Sequence, residues 1–114
     1  MTPEDMFLDY RLMNPKVTDY THCIVSEYIG EKILNGDLKS FAVGQSVYDA
    51  TGEDFPQTGD IQVVTGNNGE ALCLIKVESV AVMMQEHIPD DVPCLPSRRE
   101  GELYTVLLVD VVMR

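Results

Sequence analysis

A chain of 114 residues with 45% hydrophobic content has enough apolar side chains for one core of its own, within the common size of a single domain. Its 19 acidic and 8 basic residues leave a formal net charge of -11, which disfavours sequence-independent binding along a phosphate backbone. No apolar run approaches the roughly 18–20 residues that span a bilayer, so no membrane partner is expected.

The opening M-T-P-E-D-M has neither the basic nor the apolar stretch of a signal peptide, and the expected location is the cytoplasm. From Met1 to Val17 the apolar residues Met6, Phe7, Leu8, Leu12 and Met13 precede an Asn14-Pro15 stop. A short helix, an arm packed across the domain and a segment that orders on a partner all fit. Thr18 to Leu34 reads as one helix. Thr18 and Asp19 are N-cap candidates, and Ile24, Val25, Tyr28, Ile29 and Ile33 recur at the spacing of one apolar stripe. Gly30 costs about 1 kcal/mol relative to alanine in a helix interior, so a close packing contact is expected there. Asn35-Gly36 ends the helix, because glycine takes the left-handed cap conformation.

Beyond Gly36 the period changes. Ser40-Phe41-Ala42-Val43 and Ser46-Val47-Tyr48 are short strand-like pieces broken at Gly44, and Asp49 to Asp60 is a loop closing in the turn Pro56-Gln57-Thr58-Gly59-Asp60. Ile61 to Thr65 and Ala71 to Glu78 are strands joined by Gly66-Asn67-Asn68-Gly69, a strong hairpin signal. Val80 to Met84 either extends the second strand past a bend or starts another. Gln85 to Gly101, with Pro89, Pro93 and Pro96, is a long surface loop with room for one helical turn. Leu103 to Met113 is the most hydrophobic run, and its β-branched content favours a buried central strand, with Leu108 as a core position. One leading helix and about five or six mostly antiparallel strands make an α+β domain with a partly closed barrel.

Cys23, Cys73 and Cys94 are odd in number and far apart, no two form C-x-x-C, and neither His22 nor His87 stands at ligand spacing from them. No metal and no cofactor is expected. The stretch from Gly36 to Asp60 gathers a lysine, small hydroxyls and glycine-dependent turns, and a ligand site is expected there.

Three pieces carry a family resemblance: I-L-N-G-D-L-K-S, then G-E-D-F-P-Q-T-G-D from Gly52 to Asp60, then the hairpin V-V-T-G-N-N-G-E-A-L-C-L-I-K-V-E-S-V. In this order they resemble the ASCH domain, a branch of the PUA-like β-barrel folds, over Ile24 to Val82. The resemblance implies a single domain with a pocket between the leading helix and the barrel, suited to a nucleobase, a nucleoside or RNA. Some members of that family are amidohydrolases that remove an acyl group from a modified cytidine with a lysine, a threonine and a glutamate. Others are proposed to bind or cleave RNA.

Carried onto this chain, Lys39 matches the family lysine and Ser40 the first hydroxyl position. The hydroxyl three residues after the lysine falls on Ala42, which departs from the pattern. Glu100 and Glu102, with Glu86 as an outsider, are the candidates for the glutamate. Amide hydrolysis needs an activated nucleophile, a proton shuttle and a donor for the oxyanion, so these residues are expected to converge at a cavity mouth. Tyr48 is the candidate stacking surface for a base, and Arg98 and Arg99 the candidates for a phosphate. Two classes of function compete: a nucleoside- or RNA-binding domain with degenerate hydrolase chemistry, and a non-enzymatic acidic protein engaging a basic or nucleic-acid-binding partner protein.

Overall fold

Ala71–Met84 and Leu103–Met113 are the two longest strands, and their antiparallel pairing forms the centre of one six-stranded sheet. The computed structural model describes all residues from Met1 to Arg114. In chain order the elements are α1 (Pro3–Met13), β1 (Thr21–Ile24), α2 (Glu27–Leu34), β2 (Ser40–Gly44), α3 (Gln45–Thr51), β3 (Ile61–Thr65), β4 (Ala71–Met84), β5 (Cys94–Leu95) and β6 (Leu103–Met113). The strand order is β1-β3-β4-β6-β2-β5. Pairing is antiparallel through the middle, but β1 runs parallel to β3 and β5 parallel to β2, so the sheet is mixed rather than mostly antiparallel at its edges. Register shifts at Leu74/Ile75 and Val77/Ser79 bend β4 against β6, and such bulges increase local twist. The sheet curls into a half-barrel. No helix is long and apolar enough to cross a membrane.

Side-chain alternation divides the core between two faces. The inner face carries Cys23, Phe41, Val64, Ile75, Leu107 and Val109, packed with Ile33 of α2. The outer face is covered at one end by α1, whose Met6 and Phe7 pack on Ile61, Val63 and Leu74. At its other end Ile88, from the loop after β4, lies on Ala42 and Tyr104. α1 is the leading helix, started by Thr2, whose hydroxyl accepts from the Asp5 amide at 3.1 Å. Leu108 falls on the outer face between these covers and is 45% exposed, so β6 is central but Leu108 is not core. Its neighbours Leu107 and Val109 point the other way and are buried.

The expected helix from Thr18 to Leu34 is two elements. Thr21–Ile24 pairs with Gln62–Thr65, and the Val25 amide donates to the Thr65 carbonyl at 3.0 Å. The helix starts only after Ser26, whose hydroxyl accepts from the Ile29 amide. A sheet edge offering backbone partners outweighs the helical spacing of the apolar residues. Ile24 and Tyr28 are consequently exposed, while Val25 and Ile33 are buried. Gly30 does mark a tight approach, since a Cβ there would run into the Leu72 side chain. Gly36, at φ 79°, ends α2 as expected, with its amide donating to the Ile33 carbonyl.

Ser46-Val47-Tyr48 is not a strand but the body of α3. The cap of this helix comes from far along the chain. Gly44 at the N-cap has no side chain, and the Glu102 carboxylate accepts from the Ser46 amide at 3.2 Å in its place. A Cβ on Gly44 would lie 3.0 Å from that carboxylate, so the glycine makes room for the contact. Hydrogen bonding from Ser46 is the main reason the Glu102 carboxyl lies below its ordinary value, with Tyr104 and Arg99 adding to it and desolvation opposing. Glu102, a candidate catalytic acid, is a helix cap.

Two experiments test this framework. Leu107→Ala should lower unfolding free energy by about 2–5 kcal/mol and Leu108→Ala by about 1 kcal/mol or less in urea titrations; equal losses would contradict the assigned faces. Because the Glu102 pKa is lowered, its contribution is present above the ordinary carboxyl range and is lost as pH falls through the folded-state value. Glu102→Ala should therefore speed hydrogen exchange of the Ser46 amide at neutral pH, with little difference from the parent at a pH where the carboxyl is protonated. Unchanged exchange at neutral pH would remove the cap assignment.

Candidate functional site

Curling brings the two sheet edges to opposite sides of one groove of ≈ 1290 Å³, bounded by β1 on one side and by β5 with α3 on the other. The loop from Gly52 to Asp60 forms part of its rim. That loop holds its shape through the Asp60 carboxylate, which accepts from the Gln57 amide at 2.8 Å. Gly59, at φ 94°, lets its amide reach the Val77 carbonyl at 2.7 Å. The Gly-Asp turn is therefore a structural clamp that fixes one rim of the groove against β4.

Phe41, Val43 and Leu107 give the groove apolar lining, and Tyr48 of α3 gives it an aromatic one. The Tyr48 ring packs against Phe55 from the rim loop, with centroids 4.9 Å apart and planes at 51°. Burial pushes the Tyr48 hydroxyl up to about 12, with Cys23 and Glu53 adding to it and a hydrogen bond from Thr105 working the other way. Burial likewise pushes the Cys23 thiol up to about 12. A neutral phenol and a neutral thiol line this site, and neither is an activated nucleophile.

One polar side chain stands apart. Gln62 of β3 lines the groove, is 8% exposed, and its Oε1 has no hydrogen-bond partner. Its cross-strand partner on β4 is Ile75, which cannot donate, and its partner on β1 is Thr21, whose hydroxyl is not hydrogen-bonded to it. Leaving a buried polar group unpaired costs about 1–3 kcal/mol. Solvent does not reach this oxygen, so a donor in the groove can meet it only when the amide turns toward the opening.

Most residues expected from the sequence are elsewhere. Tyr48 lines the groove; Lys39, Ser40, Glu100, Glu102, Arg98 and Arg99 do not. Lys39 is exposed, and its carbonyl accepts from the Val109 amide at 2.8 Å at the start of β2. Glu102 lies at the other end of that strand, beside Gly44, about 16 Å away at the rise of an extended chain. Ser40 pairs with Leu108, and Ala42 is buried on the outer face, so the second hydroxyl position points away from the groove.

Glu100 is exposed, and Glu86 faces only His87 Nε2 at 3.7 Å on the surface. Arg98 donates to the carbonyls of Gln85, Ile88, Pro89 and Val92, which ties the proline-rich loop together. The Arg99 amide donates to the Tyr104 hydroxyl, which donates in turn to the Ser97 carbonyl. The lysine, hydroxyl and carboxylate expected to converge do not, and no group of three His, Cys, Asp or Glu residues is placed to hold a metal ion. Gln62, Cys23 and Phe55 were missed in the sequence. For Gln62 there was a signal, a lone amide in the apolar strand I-Q-V-V.

The chain superposes on the crystal structure of an ASCH domain from Lactobacillus crispatus JV V101 with a TM-score of 0.73 and 20% identity, covering 98% of this chain and 94% of that one. It superposes on protein EF3133 from Enterococcus faecalis V583, of the family model DUF984, with a TM-score of 0.77 and 10% identity, covering 97% of this chain and 88% of that one. No curated protein matches its sequence. The family model for the ASCH domain matches residues 19–102, which takes in β1 through the cap of α3 and both sides of the groove; the chain belongs to the ASCH domain family.

Proposed function

We propose that this ASCH domain binds a nucleobase, as a nucleoside or as an unstacked base of RNA, in the groove between β1 and α3, and does not hydrolyse it. The observation that carries the reading is the pairing of an aromatic wall with an unpaired amide in one groove: Tyr48 offers a face for stacking, and Gln62 a polar contact for a base edge. Stacking on an aromatic side chain contributes about 1–3 kcal/mol per base. The separation of Lys39 from Glu102, the outward direction of Ala42 and the neutral state of Cys23 support binding without acyl transfer.

A second reading has support in the charge. Of 19 acidic residues, Glu70 pairs with the N-terminal amine and Glu86 lies beside His87, so most of the carboxylates are free to engage a basic partner protein. The two readings differ in where a ligand acts. Titration of acylated and plain cytidines, followed by two-dimensional amide NMR, should move the resonances of Tyr48, Gln62 and Cys23, and Tyr48→Ala should remove those shifts. Chromatography of the acylated cytidine should show no released acyl group. Shifts confined to other surfaces would overturn the base-binding reading in favour of the acidic interaction protein, and acyl release would overturn the claim of no hydrolysis.

A further inference from the structure

We infer that the groove selects an unphosphorylated heterocycle, neutral or cationic, whose N–H donor pairs with Gln62 Oε1, and that it rejects the same base carried on a phosphate. This rests on the base-binding reading and narrows it from bases in general to free nucleosides or nucleobases.

Two independent observations carry it. The first is the amide itself. Gln62 lines the groove and is 8% exposed, and its Oε1 is unpaired and closed to solvent, so it pairs with a ligand by turning its amide toward the groove. Every standard base has an N–H on its hydrogen-bonding edge, so each can supply the missing donor, and the amide NH2 of Gln62 can return a bond to a neighbouring ring nitrogen or carbonyl. A site built to hydrogen-bond a ligand discriminates strongly against an analogue without the matching group, because its own polar atom is then left unpaired.

The second observation is the charge of the lining. Asp19, Glu53, Asp54 and Asp60 border the groove, with Lys16 and His22 its only basic side chains, and none of the six is in an ion pair. Such a rim repels a phosphate dianion entering with the sugar and leaves a neutral nucleoside unaffected. The two arginines that could have offset this charge do not line the groove, and Arg98 is occupied by the four carbonyls of the proline-rich loop.

The test uses the whole chain with cytidine, uridine, adenosine and guanosine, their 5′-monophosphates, and N4,N4-dimethylcytidine, which has no exocyclic N–H. Affinities are read by NMR at low and high salt for the parent, Gln62→Leu and Gln62→Met. The expected result is that at least one nucleoside binds, that its monophosphate binds about tenfold more weakly at low salt, and that this gap narrows as salt screens the rim. Both Gln62 variants should weaken nucleoside binding about tenfold, the scale of one lost hydrogen bond, with melting midpoints equal to or above the parent because the buried amide no longer goes unpaired. If cytidine binds, N4,N4-dimethylcytidine should bind more weakly.

Nucleoside binding that is unchanged in Gln62→Met, or a monophosphate that binds as tightly as its nucleoside, would overturn this inference and leave base binding standing. Absence of groove binding by all four nucleosides would overturn the base-binding reading, and this inference with it.

Discussion

The antiparallel pairing of β4 with β6 is the constraint on which the rest of the domain depends. These strands pair along nearly their whole length, and the two register shifts between them turn a flat ladder into a curled one. The short parallel pairs at the edges add little area of their own. They owe their positions to the curl, which carries β1 and β5 round to face each other. The groove is the gap left where the barrel does not close. A flatter sheet would leave Tyr48 and Gln62 on unrelated surfaces.

Local chemistry was legible where it acts over a few residues. Asn35-Gly36 stops a helix and Gly66 to Gly69 turns a hairpin because those backbones need positive φ, at Gly36 and Gly69. The β-branched run after Leu103 forms a strand for similarly local reasons. Distant partners were not legible. Thr21–Ile24 has helical spacing yet pairs with a strand some forty residues later, and α3 takes its cap from Glu102 after 56 residues. The family pattern was visible, and the match over residues 19–102 shows it was informative about fold. It was less informative about the site, because Lys39 kept its place in the pattern while the groove lies elsewhere.

Gln62 is the residue that marks the groove as a candidate site. A leucine or valine there would match the apolar residues around it and remove an unsatisfied group, so the amide is a local inconsistency within an otherwise consistent strand. Such conflicts collect at binding sites, where a group unpaired in the free protein is paired by its ligand. The Glu102 cap and the Arg98 tether show the opposite situation. Their charges are already matched to backbone amides and carbonyls of the chain itself, and they hold elements in place.

In the proposed complex the Gln62 amide meets the edge of a base. A crystal structure of the protein grown with a bound nucleoside tests this contact most directly. The expected result is the base in the groove against Tyr48, with a ring or exocyclic nitrogen about 2.7–3.2 Å from Gln62 Oε1. A base held at another surface, or in the groove with the Gln62 amide turned away and bonded only to protein, would contradict it.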